Sequence, residues 1–140
     1  MRLFDKLRTK QNKNNMGIYT DFSNWIDKNL SDNLPTGIVA INFNLYEDSQ
    51  EYFNVEIIGS DSFDEGDEDW ACCEIFTTRE DIFYVPRTKD IAEWDEGLSF
   101  ITTLVEKYLK EGKHADKLKS YEAVCIGFID GDIAILHRSK

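Results

Sequence analysis

Apolar and polar residues alternate along two neighbouring stretches, and that period sets the expectation for the first half of the chain. In 37–46, Val39, Ile41, Phe43 and Leu45 share one parity, with Asn42 and Asn44 on the other. In 51–59, Phe53, Val55 and Ile57 are opposed by Asn54 and Glu56. Successive strand side chains point to opposite faces, so each stretch predicts a strand with one buried and one wetter face. The polar link 47–50 predicts an antiparallel hairpin. Ahead of it, Phe22, Trp25, Ile26 and Leu30 fall at helical spacing. They predict a helix over 21–30, capped by Thr20 or Asp21 and ended by 31–33 and Pro35.

Further along, Ala71, Cys73 and Ile75 alternate with Cys72, Glu74 and Phe76, predicting a third strand over 70–77. A short fourth strand over 82–85 stops at Pro86. Ile91, Trp94, Leu98, Ile101, Val105 and Tyr108 then repeat every three or four residues and predict the longest helix, between 90 and 111. Asp90 with Glu93 resembles a capping box. Gly97 costs on the order of 1 kcal/mol against Ala inside a helix, so a start near Asp95 is the alternative. Gly112 suits a left-handed cap at the far end. A polar helical turn follows at 115–118. Residues 123–129 are nearly all apolar and read as a central strand covered on both faces. Asp130-Gly131 predicts a two-residue turn with positive φ, and 132–137 the returning strand.

The order helix, four strands, helix, two strands predicts an α+β single domain: an antiparallel or mixed sheet of about six strands packed against two main helices, with a C-terminal β-hairpin. Residues 1–16 are polar, with Leu3, Phe4 and Leu7 able to form one amphipathic turn. They read as a flexible or short amphipathic arm ahead of a domain over 17–140.

Composition narrows the function classes. The chain has 140 residues, 41% of them hydrophobic, and a net charge of -11. That suits one globular domain with a real core. It argues against a nucleic-acid binder or a protein that docks on anionic lipid, since both need clustered Lys and Arg. The acidity is regional: 47–81 hold thirteen Asp or Glu and one basic residue, Arg79. Cys72, Cys73 and Cys125 lack paired disulfide spacing. The start has no continuous apolar segment of a secretory signal, and no run approaches a membrane span. The expectation is a cytoplasmic protein.

The densest feature lies at 61–70, where Asp61, Asp64, Glu65, Asp67, Glu68 and Asp69 are followed by Trp70. Flanked by predicted strands, it should be a solvated loop on a packed scaffold. Its carboxylates are hard ligands for Ca²⁺ or Mg²⁺, but the spacing is not that of an EF-hand loop. Counting from Asp61, Gly66 falls sixth as required, yet Phe63 and Glu65 fill the third and fifth positions and Cys72 the twelfth. Adjacent Cys72 and Cys73 point to opposite faces of a strand and cannot chelate one Zn²⁺. His114 and His137 sit in no context that suggests a catalytic base, and there is no phosphate-binding or dinucleotide motif. No cofactor, metal or catalytic residue is expected.

A binding role accounts for the loop better. An acidic loop on a rigid scaffold can enter a basic cleft, with Asp61, Asp64, Glu65, Asp67, Glu68 and Asp69 supplying charge and Trp70 an apolar anchor. Trp70 could equally start a strand and pack inward, leaving the acids merely solvated.

A resemblance points the same way. The acidic run 64–70 leading into Trp70-Ala71-Cys72-Cys73-Glu74, the Trp94/Gly97/Leu98 helix start and the closing Gly127-Phe128-Ile129-Asp130-Gly131-Asp132 turn make the chain look like small acidic α+β immunity proteins. Those proteins accompany bacterial polymorphic and contact-dependent toxins. The resemblance implies a cytoplasmic, non-enzymatic protein that neutralises a basic toxin domain, many such toxins being nucleases. It carries over no contact residues; Asp64, Glu65, Asp67, Glu68 and Asp69 are candidates by charge alone. An acidic adaptor or regulatory domain and a small cytoplasmic enzyme are the alternatives.

Overall fold

The computed structural model describes residues 3–31 and 33–139, with side chains from residue 17 onward. The reading of Leu3, Phe4 and Leu7 as an amphipathic turn rests on side chains outside that set. The elements are α1 (Leu3–Leu30), β1 (Ala40–Glu47), β2 (Tyr52–Ser60), β3 (Glu74–Thr77), β4 (Phe83–Pro86), α2 (Trp94–Glu111), α3 (Ala115–Lys119), β5 (Ala123–Phe128) and β6 (Ala134–Arg138). Two 3₁₀ turns, Glu68–Cys72 and Lys89–Ile91, precede β3 and α2. The expected α+β architecture is present. α1 starts at Leu3 rather than at Asp21, the intervening residues holding no proline and a single glycine, Gly17.

The strands form one six-stranded sheet in the order β3-β2-β1-β5-β6, with β4 also paired to β2. β1 and β2 make the expected antiparallel hairpin, in register from Ala40↔Ser60 to Glu47↔Phe53. β1 and β5 run parallel, so the sheet is mixed. A parallel pair needs a long crossover, which α2 and α3 supply. The period-two pattern then decides which face they cover. Ile41, Phe43 and Leu45 of β1, Phe53, Val55 and Ile57 of β2, and Val124, Ile126 and Phe128 of β5 join one core. Against them pack Phe22, Ile26 and Leu30 of α1 and Ile101, Val105 and Tyr108 of α2. Two polar ties lock the helices. The Tyr108 hydroxyl donates to Asp27 Oδ1 at 2.6 Å and accepts the His114 N–H at 3.0 Å. Trp25 Nε1 donates to the Asp81 carbonyl at 2.7 Å, pinning the β3–β4 link on α1.

Several local expectations are corrected. Residues 70–73 are not strand: the 3₁₀ turn Glu68–Cys72 takes in 70–72, Cys73 caps it, and Cys72 and Cys73 are left exposed. Asp67 starts that turn because its side chain accepts the Asp69 N–H, a local bond that outcompetes a strand ladder. The capping box of α2 forms one turn later than expected, between Glu93 and Glu96, and the helix opens at Trp94, one residue from the alternative start near Asp95. Gly112 is extended (φ -70, ψ 153), not left-handed. It is needed because a Cβ there would meet the Tyr108 ring at 2.5 Å. Among the described residues Gly37 carries the positive φ, so Asp130-Gly131 is not a tight two-residue turn. β5 and β6 are joined by the wider loop 129–133, whose backbone lies over Gly127. A Cβ on Gly127 would sit 2.4 Å from the Asp132 carbonyl oxygen.

Gly97 lies inside α2, buried, and a Cβ there would meet the Phe53 ring at 2.4 Å. That ring is boxed in by Phe128 and by the Arg87 guanidinium 4.3 Å from its centroid. Overpacking a closed site costs about 1–3 kcal/mol, more than the ~1 kcal/mol of helix propensity that Ala returns. Gly97→Ala is therefore expected to lower the urea midpoint with an unchanged m-value; a raised midpoint would show that Phe53 is free to move.

Candidate functional site

The helix-free face of the sheet is polar at its centre because Asn42, Asn44 and Tyr46 of β1 and Asn54 and Glu56 of β2 share its parity. Two long loops partly cover it. The first, 61–73, is the acidic stretch. Its anchor is Trp70, only 5% exposed, packed with Ala40, Ala123 and Cys125 and flanked by Phe63 and Ile133. Ser60 Oγ donates to the Trp70 carbonyl at 2.6 Å. Burying a Trp side chain removes roughly 150–250 Å² from water, worth ~4–6 kcal/mol, so this loop is held down. Of the two readings left open for Trp70, the inward one is observed, and the side chain is unavailable as an exposed anchor.

The carboxylates of this loop do different work. Asp64 Oδ1 accepts the Gly66 N–H at 2.9 Å and Asp67 Oδ1 the Asp69 N–H at 3.0 Å, so both shape the loop. Glu65 pairs with Arg138 of β6 at 3.4 Å, and that guanidinium lies 4.9 Å from the Phe63 ring centroid. Glu68 Oε2 accepts the Ile133 N–H and so joins the acidic loop to the 129–133 loop. Asp61 is exposed at the loop's start. Of the seven residues singled out from sequence, Glu68 and Asp69 line the groove described next; Asp61, Asp64, Glu65 and Asp67 lie elsewhere on the loop, and Trp70 lies beneath it.

Between the two loops runs a groove of about 470 Å³, floored by Asn42 and Asn44 and walled by Glu68, Asp69, Cys72 and Glu74 on one side. Phe128, Ile129 and Ile133 form the other side. Over the crest of the 129–133 loop lies a second cleft, of about 650 Å³, with Trp94, Leu98 and Phe128 as apolar lining and Glu47, Asp130 and Asp132 as its acids. Phe128 and Gly131 belong to both. Trp94 is 54% exposed and Ile129 61%, so two large apolar side chains stand in water on this acidic surface. Among the described residues no Lys or Arg lines either depression. Arg87 reaches Glu47 at 3.3 Å and Arg79 reaches Glu74 at 2.8 Å from outside them.

Beneath the groove lies a polar chain centred on Glu56, 1% exposed. Its Oε1 accepts from Asn44 Nδ2 at 3.1 Å and from the Tyr46 hydroxyl at 2.7 Å; its Oε2 accepts from Arg79 Nε at 3.0 Å. Asn42 Nδ2 in turn donates to Asn44 Oδ1. Burial and the adjoining Glu56 carboxylate push the Tyr46 hydroxyl up to about 12. Cys125, under Trp70, is pushed up to about 12 by burial. Among the described residues no group of three His, Cys, Asp or Glu side chains could hold a metal ion, and no helix is long and apolar enough to cross a membrane.

Parts of the three stretches quoted above, residues 68–74, Trp94 with Leu98, and 128–132, thus border the two depressions on either side of the β5–β6 loop. Asn42 and Asn44 were not singled out from sequence. Alternation placed them on a wetter face, but only the register of β1 with β5 and the fold of the loops puts them under the groove. The chain matches no family model, no curated protein and no solved structure.

Two outcomes follow. A thiol reagent at pH 8 should modify Cys72 and Cys73 in the native protein and Cys125 only after unfolding; three reactive native thiols would mean that Trp70 does not seal the loop. The folded protein holds the Tyr46 proton more tightly than the unfolded chain, whose ordinary value is 10.0. The stability it contributes is intact below pH 10 and is lost as pH rises through about 12. Urea titrations across that window should show a shallower alkaline decline for Tyr46→Phe than for wild type.

Proposed function

We propose that this chain is a non-enzymatic binding module that neutralises a basic protein, in the manner of the immunity proteins it resembles. The observation that carries this reading is the acidic double groove around the 129–133 loop. It combines six carboxylates with exposed Trp94 and Ile129 and, among the described residues, no cationic lining residue. Interfaces concentrate binding energy in aromatic anchors and use complementary charge for encounter and partner choice. The surface supplies both on a scaffold whose sheet is packed against α1 and α2, with α2 itself contributing Trp94 and Leu98, so little ordering opposes docking. The net charge of -11 adds long-range attraction for a basic cleft. A cytoplasmic site of action belongs to the same reading.

Capture from the native host's lysate with a tagged chain identifies the partner, and purified components then decide. The expected complex is 1:1, with an association rate that falls as salt rises. Asp69→Asn/Asp130→Asn/Asp132→Asn, three exposed positions, should slow association about tenfold or more with the fold intact. Trp94→Ala should act mainly on dissociation. Unchanged kinetics in both variants would reject this surface as the interface, and weak binding to many unrelated proteins would favour an acidic adaptor.

A further inference from the structure

The groove floor ends in an acceptor that the fold leaves unused. Asn42 is 2% exposed and forms part of the groove, yet its Oδ1 has no donor among the described residues. Its orientation follows from chemistry. Glu56 is a buried carboxylate held by Arg79, so the amide facing it must present Nδ2, which Asn44 does. Asn44 Oδ1 then faces Asn42, which must answer with its own Nδ2. Turning either amide over would set two oxygens against each other. The chain of amides therefore always finishes on the carbonyl oxygen of Asn42. Leaving such a buried acceptor unpaired is costly, and the cost is relieved when a donor arrives.

Around that oxygen the walls add the carboxylates of Asp69, of Glu68, which also takes the Ile133 N–H, and of Glu74, which also takes Arg79 Nη2. The one side-chain donor among the described wall residues is the weak Cys72 thiol, and Phe128, Ile129 and Ile133 offer apolar surface. A floor and wall of acceptors repel anions and select a group that only donates. Guanidinium is such a group: five N–H donors, no acceptor, weaker hydration than ammonium, and a flat face that stacks on aromatic rings. We propose that this groove is the receptor for one arginine side chain of the basic partner. Its methylenes lie along Phe128, Ile129 and Ile133, and its guanidinium pairs with the wall carboxylates and takes Asn42 Oδ1, less than 1 Å² accessible in the free chain, as the groove opens around it. The proposal rests on the binding-module reading and names the contact at its centre.

The test uses the full chain, ¹⁵N-labelled, titrated with n-butylguanidinium, n-butylammonium and the neutral n-butylurea at fixed ionic strength. Saturable shifts of the Asn42 and Asn44 side-chain amide signals are expected with n-butylguanidinium, at least about fivefold tighter than with n-butylammonium. The urea analogue should give no saturable shift. Asn42→Ser should weaken the guanidinium about tenfold. Asp69→Asn, at an exposed position, should also weaken it and keeps the test valid if the Asn42 variant does not fold. Shifts that merely follow ionic strength, equal binding of the urea or ammonium analogue, or undiminished binding by both variants would overturn the proposal. Saturable guanidinium binding with no protein partner found would leave this site standing and remove the binding-module reading. A partner unaffected by Asn42→Ser and by competing n-butylguanidinium would do the reverse.

Discussion

Glu56 sets the character of the face opposite the helices. A carboxylate 1% exposed in the middle of a sheet must be answered by donors, and Asn44, Tyr46 and Arg79 answer it. Asn44 and Tyr46 come from β1 and Arg79 from the β3–β4 link, so satisfying one charge on β2 fixes the relation of these three elements. It also forbids apolar packing at the centre of this face. The loops that cover the face are consequently anchored at its periphery: Trp70 over Ala40 and Cys125, and Phe63 against Arg138. A polar floor between anchored loops is left as a groove.

The two faces divide the protein's tasks. The helix face holds the large apolar residues and the Tyr108–Asp27 tie, which make the scaffold rigid. The other face carries the Glu56 network and, on the loop above it and at the start of β3, Glu68, Asp69 and Glu74; burying so many like charges in the helix-side core would be prohibitive. The 129–133 loop is the hinge between these roles. It passes over Gly127, donates the Ile133 N–H to Glu68 and presents Ile129 and Asp130 to water. The proposed partner surface is thus built from segments distant in sequence that the parallel pairing of β1 and β5 brings together.

Much of the fold was legible in residue patterns. The β1–β2 hairpin followed from alternation, the fully buried β5 from its unbroken apolar run, and α2 from its three-four spacing. The misjudged places share a cause. Trp70 and the two residues after it looked like strand, but a local Asp67 cap turned them into 3₁₀ helix. Gly112 looked like a left-handed cap, but its role is to make room for the Tyr108 ring. Asp130-Gly131 looked like a tight turn, but contacts with Gly127 and Glu68 draw the loop wide. In each case a specific side-chain contact, near in sequence for Asp67 and Tyr108 and distant for Glu68, outweighed a general residue preference of about 1 kcal/mol or less.

By itself the sequence determined the class of fold, the two-faced character of β1 and β2, and the regional acidity, because these depend on periodicity and charge count. Only the tertiary structure decided that Trp70 faces inward, that Glu68 and Asp69 rather than the whole acidic run border a groove, and that Asn42 ends beneath it with an unused acceptor. Those outcomes depend on strand register and on which loop crosses which strand. Neither is written in any local pattern, since both arise from contacts between residues far apart in the chain.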